Sequence, residues 1–363
     1  MIAPLNRCFK GLAPMSFVRA FVFATVALIG TAAAPAFAAE AAAACAAAQA
    51  YSTAQHGVSV LIQRDGAVVC EGYANGGGTD TAWPIHSGTK SFNGFILAAA
   101  VQDGLLSLDE PVAKTLPEWA GEPAKATVTL RQLLQLTSGL GGRAFPAPDF
   151  DAAVAQPFSA STGTFQYAAA PFQAFGAVME RKLQAAGRDP DPLTYLKARI
   201  LDPIGMTWAG WRRTPGGDAM LDQGAILTAR EWAKFGEFVR GEGQVNGKPV
   251  VDPATFALLF QGSTANPAYG ITWWLPKANN TPDVVTARLD LRGHEADLPA
   301  DLVIAAGAGD QRLFVAPSCR LTVVRQAKLD TERIQAARAA GGDIRDGWSD
   351  FAFIKPILDA YCR

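Results

Sequence analysis

Ser87 and Lys90 stand three residues apart in the tetrapeptide Ser87-Gly88-Thr89-Lys90, at the start of an apolar run. At that spacing a serine hydroxyl and a lysine ammonium share one helix face, so Lys90 can hold or take the Ser87 proton and make the oxygen a nucleophile. Free backbone N–H groups at a helix start add to this by favouring negative charge beside them. A bare S-x-x-K is weak evidence, because roughly one chance match is expected in a chain this long. This chain has one, so the surrounding elements must support it.

Those elements read as follows. Apolar spacing at Phe92, Phe95, Ile96 and Ala99 predicts a helix over 87–102, ended by Gly104. Residues 58–73 read as a hairpin of two β-rich runs turning at Asp65-Gly66. Helical spacing recurs over 129–136, 163–186, 192–201 and 228–241, with Pro203 ending the third and Glu231 in the first turn of the last. Strand signals return at 269–275, 301–306, 312–316 and 321–325, before a closing helix over 346–362. The polar, aperiodic stretch 279–300 reads as a surface loop. Strands at both ends with helices between them predict an α+β fold. Its antiparallel sheet lobe takes in about 41–100 and 215–363, and an inserted helical lobe covers about 101–214.

The first 38 residues carry Arg7, Lys10 and Arg19, then an apolar run, then Ala36-Phe37-Ala38, the pattern of a secretory signal cleaved before Ala39. The run is shorter than the ~20 residues of a membrane span, and no later stretch reaches that length. Export, with the periplasm as destination and no stable membrane anchor after cleavage, is the expectation. Loss of the leader takes the formal net charge from −1 to −4. Lys and Arg are scattered without a basic run, which argues against nucleic acid as a partner. The roughly 325 remaining residues, with an apolar share near half, suit two lobes or one large mixed domain. Four cysteines remain, Cys45, Cys70, Cys319 and Cys362, an even number that suggests two disulfides in an oxidising compartment. The hairpin returns Cys70 level with the helix through Cys45. The terminal helix runs back along the strand opened by Cys319 and ends at Cys362. The expected pairs are therefore Cys45–Cys70 and Cys319–Cys362, with four free thiols as the alternative.

Several segments together resemble the serine β-lactamase and penicillin-binding superfamily, in its class C-like esterase and 6-aminohexanoate-dimer (nylon oligomer) hydrolase branch. They are Ser87-Gly-Thr-Lys-Ser-Phe, Asp103-Gly-Leu-Leu-Ser-Leu-Asp-Glu-Pro-Val, Thr129-Leu-Arg-Gln-Leu-Leu-Gln-Leu-Thr-Ser-Gly-Leu, Leu201-Asp-Pro-Ile-Gly-Met, Thr228-Ala-Arg-Glu-Trp-Ala-Lys-Phe-Gly, Tyr269-Gly-Ile-Thr-Trp-Trp and Gly307-Ala-Gly-Asp-Gln. The resemblance implies a β-lactamase-like fold with the site between the lobes. It implies Ser87 as acylated nucleophile, Lys90 as its proton partner and Tyr167 as the tyrosine assisting proton transfer to the leaving group. A tyrosine with a pKa of about 10 is a poor base at neutral pH unless a cation stabilises its phenolate, and Lys90 could do so. Whether Lys90 or Tyr167 is the acylation base stays open. The backbone N–H groups of Ser87 and of the strand edge at Gly307 and Ala308 would form the oxyanion hole.

Two departures from the family pattern bear on substrate. The second motif reads Tyr167-Ala168-Ala169, without the asparagine of many relatives, and the third aligns with Ala305-Ala306-Gly307, without its usual Lys or His. The cation that would hold a penicillin carboxylate is therefore missing. A Ser-His-Asp hydrolase would want G-x-S-x-G, which is absent, and His56, His86 and His294 read as packing or surface residues, although His86 could line the cleft. No metal-ligand spacing occurs, so no metal or cofactor is expected. Trp273 and Trp274, on a predicted strand, would face opposite ways, one into the core and one towards substrate, and Tyr269 is a further pocket candidate. Glu118 and Asp151 lie in loops that could border the cleft. The reading is an exported serine hydrolase acting on a small ester or unstrained amide. The alternatives are a β-lactamase or D-Ala-D-Ala peptidase, and a non-catalytic binding protein on the same fold.

Overall fold

The hairpin expected near the N-terminus forms. Strands β1 (Gly57–Arg64) and β2 (Ala67–Tyr73) turn at Asp65 and Gly66, whose φ angles of 51° and 77° are the left-handed pair that a tight type I′ turn requires. The computed structural model describes residues 33–142, 146–278, 289–340 and 347–362. Most of the expected leader, 1–32, lies outside the described residues, as do 279–288 of the expected loop.

Three short strands, β3 (Trp83–Pro84), β4 (Gly210–Trp211) and β5 (Ala225–Leu227), form a separate small sheet in the order β3-β5-β4. A two-residue pair, β6 (Gln244–Val245) and β7 (Lys248–Pro249), follows. The last strands, β8 (Val303–Gly307), β9 (Gln311–Ala316) and β10 (Leu321–Ala327), complete the main sheet in the order β2-β1-β10-β9-β8, antiparallel throughout. Both chain ends thus contribute to one sheet, and β1 pairs with β10.

Every residue of β8, β9 and β10 is buried, which means that both faces are covered. Helices α1 (Ala33–Ala54) and α10 (Asp350–Tyr361) pack on each other, and α10 rests Phe353 against Phe314 of β9. On the opposite face lies α7 (Ala229–Arg240), where Gly236 lets the helix settle on Leu313 and Thr322; a Cβ there would come within 2.4 Å of Thr322. Adjacent residues 313 and 314 point to opposite sheet faces, so the two helices sandwich the sheet. Disulfides Cys45–Cys70 and Cys319–Cys362 tie α1 to β2 and α10 to the start of β10. Closing loops with sequence separations of 25 and 43 is worth about 3–4 kcal/mol each by chain entropy.

Helix α2 (Ser91–Gln102) is buried on all sides from Ser91 to Ala100, as an apolar helix at the centre of a domain must be. Phe92 stacks on Phe235 of α7, and Phe95 meets the same ring edge-on. The remaining helices are α3 (Leu130–Leu134), α4 (Phe150–Ala155), α5 (Ala170–Ala185), α6 (Pro192–Leu196), α8 (Pro253–Leu259) and α9 (Thr331–Ala339). The capping box between Thr129 and Gln132 starts α3, and Thr228 caps α7 through the Glu231 amide.

Three elements differ from expectation. The helix expected over 163–186 begins only at Ala170, because Pro171 sits in its first turn and fixes the start there, leaving Tyr167 on the preceding loop. The strand expected over 269–275 is instead a tight loop. Gly270 N–H bonds back to Trp273 O (2.9 Å), Thr272 has φ 72°, and a Cβ on Gly270 would meet Leu259 O at 2.2 Å. Of the stretch read as surface loop, Leu289, Leu291 and Leu298 are buried in the core. Among the described residues no helix is long and apolar enough to cross a membrane.

Candidate active site

Ser87 lies on a 3₁₀ turn, His86–Lys90, that leads into α2. With three residues per turn, positions i and i+3 eclipse, so Ser87 and Lys90 stack more directly than α-helical spacing would give. His86 enters the turn with φ 49°, a conformation that histidine tolerates better than most side chains. The turn is fastened on all sides. Ile85 N–H bonds to Ala225 O of β5 (3.1 Å), Ala225 N–H to Thr89 Oγ1 (3.1 Å), and Ser91 Oγ to Gly88 O (2.7 Å). Gly88 itself leaves no room for a side chain, since a Cβ would meet Trp232 at 2.9 Å.

Lys90 is only 2 % exposed, and its Nζ donates to Ser87 Oγ (3.0 Å) and to the backbone oxygen of Asp222 (3.0 Å). The Asp222 carboxylate stands 3.8 Å from the same ammonium. Tyr167 closes the other side: Nζ lies 4.9 Å from the centre of its ring and 5.3 Å from that of Phe172. The ammonium therefore meets the face of Tyr167, a cation–π contact. Among the described residues the Tyr167 hydroxyl forms no hydrogen bond with Ser87 or Lys90.

Strand β8 ends against the turn that carries Ser87. A Cβ on Gly307 would come within 2.1 Å of Ile85 O and 3.1 Å of Gly88 N, so only glycine allows this approach. Buried Arg312 donates from Nη1 to Gly307 O (3.2 Å) and is itself held by Asp350 (Nε–Oδ1 2.6 Å). In a trans peptide the N–H opposes the C=O, so the Ala308 N–H is aimed away from Arg312. Arg325 secures the following turn through Gly309 O (3.3 Å) and Asp310 O (2.8 Å).

All three aromatic candidates are buried, Trp273, Trp274 and Tyr269 alike, and no strand carries them. Trp273 is buried among Phe235, Phe260 and Phe95. Trp274 pairs by backbone with Ile304 of β8 through two 3.0 Å bonds and lies 5.6 Å from the Tyr167 ring. Tyr269 packs on Trp274 and Tyr167, and its buried hydroxyl has no hydrogen-bond partner among the described residues. Burial, and secondarily Tyr167, raise its pKa well above the usual phenol range. The half-buried His86 imidazole is pushed down to about 4, by desolvation first and by the Arg212 charge second, so it is neutral at pH 7.

Other candidates are engaged elsewhere. Glu118 pairs with Arg181 (2.7 Å), which also lies 3.9 Å from Asp151. His294 stacks on Phe351, ring centres 3.5 Å apart, and the His56 carbonyl accepts from Lys328 N–H (3.0 Å). Among the described residues no group of three or more His, Cys, Asp or Glu could hold a metal. Sequence reasoning passed over Asp222, Arg312 and Asp350. A lone acid in Leu221-Asp222-Gln223-Gly224 carries no spacing signal, and Arg312 lies 38 residues from its partner.

Solved structures share this architecture. EstCE1, a hydrolase with promiscuous acyltransferase activity, superposes with a TM-score of 0.63 at 16 % identity, covering 89 % of this chain and 99 % of its own. A penicillin-binding protein homolog from Caulobacter crescentus gives 0.61 at 17 %, covering 89 % and 97 %. A class C β-lactamase from Rhodobacter sphaeroides gives 0.59 at 20 %, covering 87 % and 99 %. At these identities the likeness shows the fold. The Beta-lactamase family profile matches residues 40–332, most of the sequence, and the chain belongs to the β-lactamase family.

Proposed function

We propose that this protein is an exported serine hydrolase that forms an acyl-enzyme on Ser87 and cleaves a carboxylic ester or an unstrained amide. The observation that carries the reading is the buried Lys90 ammonium 3.0 Å from Ser87 Oγ, beneath Tyr167 and beside the end of β8. Ser87 Oγ attacks the substrate carbonyl as its proton passes either to Lys90 in its neutral amine form or to a Tyr167 phenolate that the Lys90 ammonium stabilises. The carbonyl oxygen becomes an oxyanion facing the Ser87 and Ala308 amides. Collapse breaks the bond to the leaving group, which takes the proton and departs as an alcohol or amine. Water then repeats the sequence on the acyl-enzyme, releasing the acid and restoring the serine.

The hydrolase character of EstCE1 supports this reading. Position 305, where a lactamase cation would stand, is a buried alanine in β8, which favours esters and simple amides over β-lactams. Two disulfides support an oxidising destination such as the periplasm. Hydrolysis of p-nitrophenyl acetate and butyrate, aminohexanoate amides and nitrocefin by the purified protein tests the proposal. Ester or amide turnover abolished in S87A and K90M is the expected result. Turnover unchanged in both variants would refute it.

A further inference from the structure

Asp222 is fully buried, yet among the described residues neither of its carboxylate oxygens accepts a hydrogen bond from another residue. Its carboxylate lies 3.8 Å from Lys90 Nζ, and its own backbone oxygen accepts a bond from that same ammonium. The segment is pinned at Leu221 by two helices. Asn93 of α2 donates from Nδ2 to Leu221 O (2.8 Å), and Gln173 of α5 accepts from Leu221 N–H (2.9 Å). The carboxylate is thus held against the reacting lysine by the two helices that frame the site. An uncompensated buried carboxylate is among the costlier groups a core can contain, and a nearby cation is what makes it tolerable.

We infer that Asp222 is a positioning residue of the Ser87–Lys90 centre, a buried counter-charge that holds the Lys90 side chain against Ser87 Oγ. This rests on the proposed roles of Ser87 and Lys90. Hydroxyl, ammonium and carboxylate stand in sequence, with Nζ between Ser87 Oγ and Asp222. Among the described residues, two further charged or titratable groups bear on them. Arg212, beyond β4, acts on Asp222 in the same sense as Lys90 does, and its guanidinium bonds to Gln223 O. Tyr167 covers Lys90 from the loop before α5. Burial raises the Asp222 carboxyl above the usual carboxylate range, opposed first by Lys90, then by its own backbone N–H and last by Arg212. In general, a carboxylate and an ammonium in such proximity titrate in coupled steps.

The test reads the coupling with and without substrate. NMR titration of ¹³C-labelled lysine Cε and aspartate Cγ, with K90M and D222N assigning the two signals, needs no activity. In the unaltered protein each signal is expected to show an inflection where the other titrates. In D222N, Lys90 is expected to lose its proton at a pH lower by about one unit or more. Independent single-step curves, or a Lys90 curve unmoved in D222N, overturn the assignment. If D222N does not fold, the paired inflections of the unaltered protein decide alone. In a second arm, fluorophosphonate labelling of Ser87 is followed against pH. The limb of the profile that Lys90 sets moves to lower pH in D222N, whereas a slower rate with an unmoved profile is what a purely structural role gives and refutes the inference. An unaltered protein that takes no fluorophosphonate yet shows the NMR coupling would sink the hydrolase proposal and leave the Asp222 assignment standing.

Discussion

On the proposed mechanism, replacing Gly307 by alanine should disable the oxyanion hole while leaving the Ser87 and Lys90 side chains unaltered. The added Cβ would fall 2.1 Å from Ile85 O, where ordinary contact begins at 3.4 Å, so the end of β8 and the turn that carries Ser87 must part by about 1.3 Å. Neither side yields easily: Ile85 is tied to β5, and the Gly307 carbonyl is held by the buried Arg312. An oxyanion donor works at 2.7–3.1 Å, so a shift of this size takes the Ala308 amide out of range, a loss of about 3 kcal/mol or roughly 10²–10³ in rate. Acylation by p-nitrophenyl butyrate, followed as the nitrophenolate burst, measures it, with thermal melting to confirm folding. Ala308→Ser is the control, since it keeps the amide and changes only a side chain on the exposed rim; it should acylate within about threefold of the unaltered protein. A folded G307A that also acylates within about threefold would refute the reasoning.

Three further outcomes follow from the same contacts. His86 is held down to about 4 in the folded protein against an ordinary value near 6.5, so its contribution is present above pH 6.5 and is lost as pH falls towards 4. H86N, which also tolerates the left-handed backbone, should lessen that loss by about 2–3 kcal/mol, seen as a flatter melting curve against pH; parallel profiles would contradict it. R312M leaves Asp350 buried without its partner and should cost about 3–5 kcal/mol in urea unfolding, with a loss below about 1 kcal/mol as the contrary result. Y269F removes a buried hydroxyl that has no partner among the described residues and should be neutral or stabilising by about 1 kcal/mol; a clear destabilisation would mean that the hydroxyl is engaged.

Local features were the legible ones. The Asp65-Gly66 turn, the caps at Thr129 and Thr228 and the serine–lysine stack each depend on residues within a few positions of one another, so spacing alone betrays them. The disulfide pairs were readable for a related reason, because a hairpin and a returning helix fix which ends meet. What escaped is set by distant contacts. The aromatic stretch at 269–275 has strand composition, yet Gly270 packs on Leu259 and Thr272 takes a positive φ, bending it into a loop. Residues 163–169 continue a helical pattern that Pro171 cuts short, which is how Tyr167 comes to lie on a loop over Lys90. Asp222 approaches Lys90 across 132 residues, and no periodicity marks such a pairing. Arg312 and Asp350, which hold the Gly307 peptide, were invisible for the same reason.

The central claim is that Ser87 is a competent nucleophile, and the most direct measurement is covalent. The purified protein is treated with a fluorophosphonate, and any adduct is located by intact mass and peptide mapping, with Ser87→Ala alongside. One adduct per chain, on Ser87 and absent from the variant, is the predicted result. No adduct in a folded sample, or the same adduct in the variant, would contradict the account and put a non-catalytic binding protein in its place.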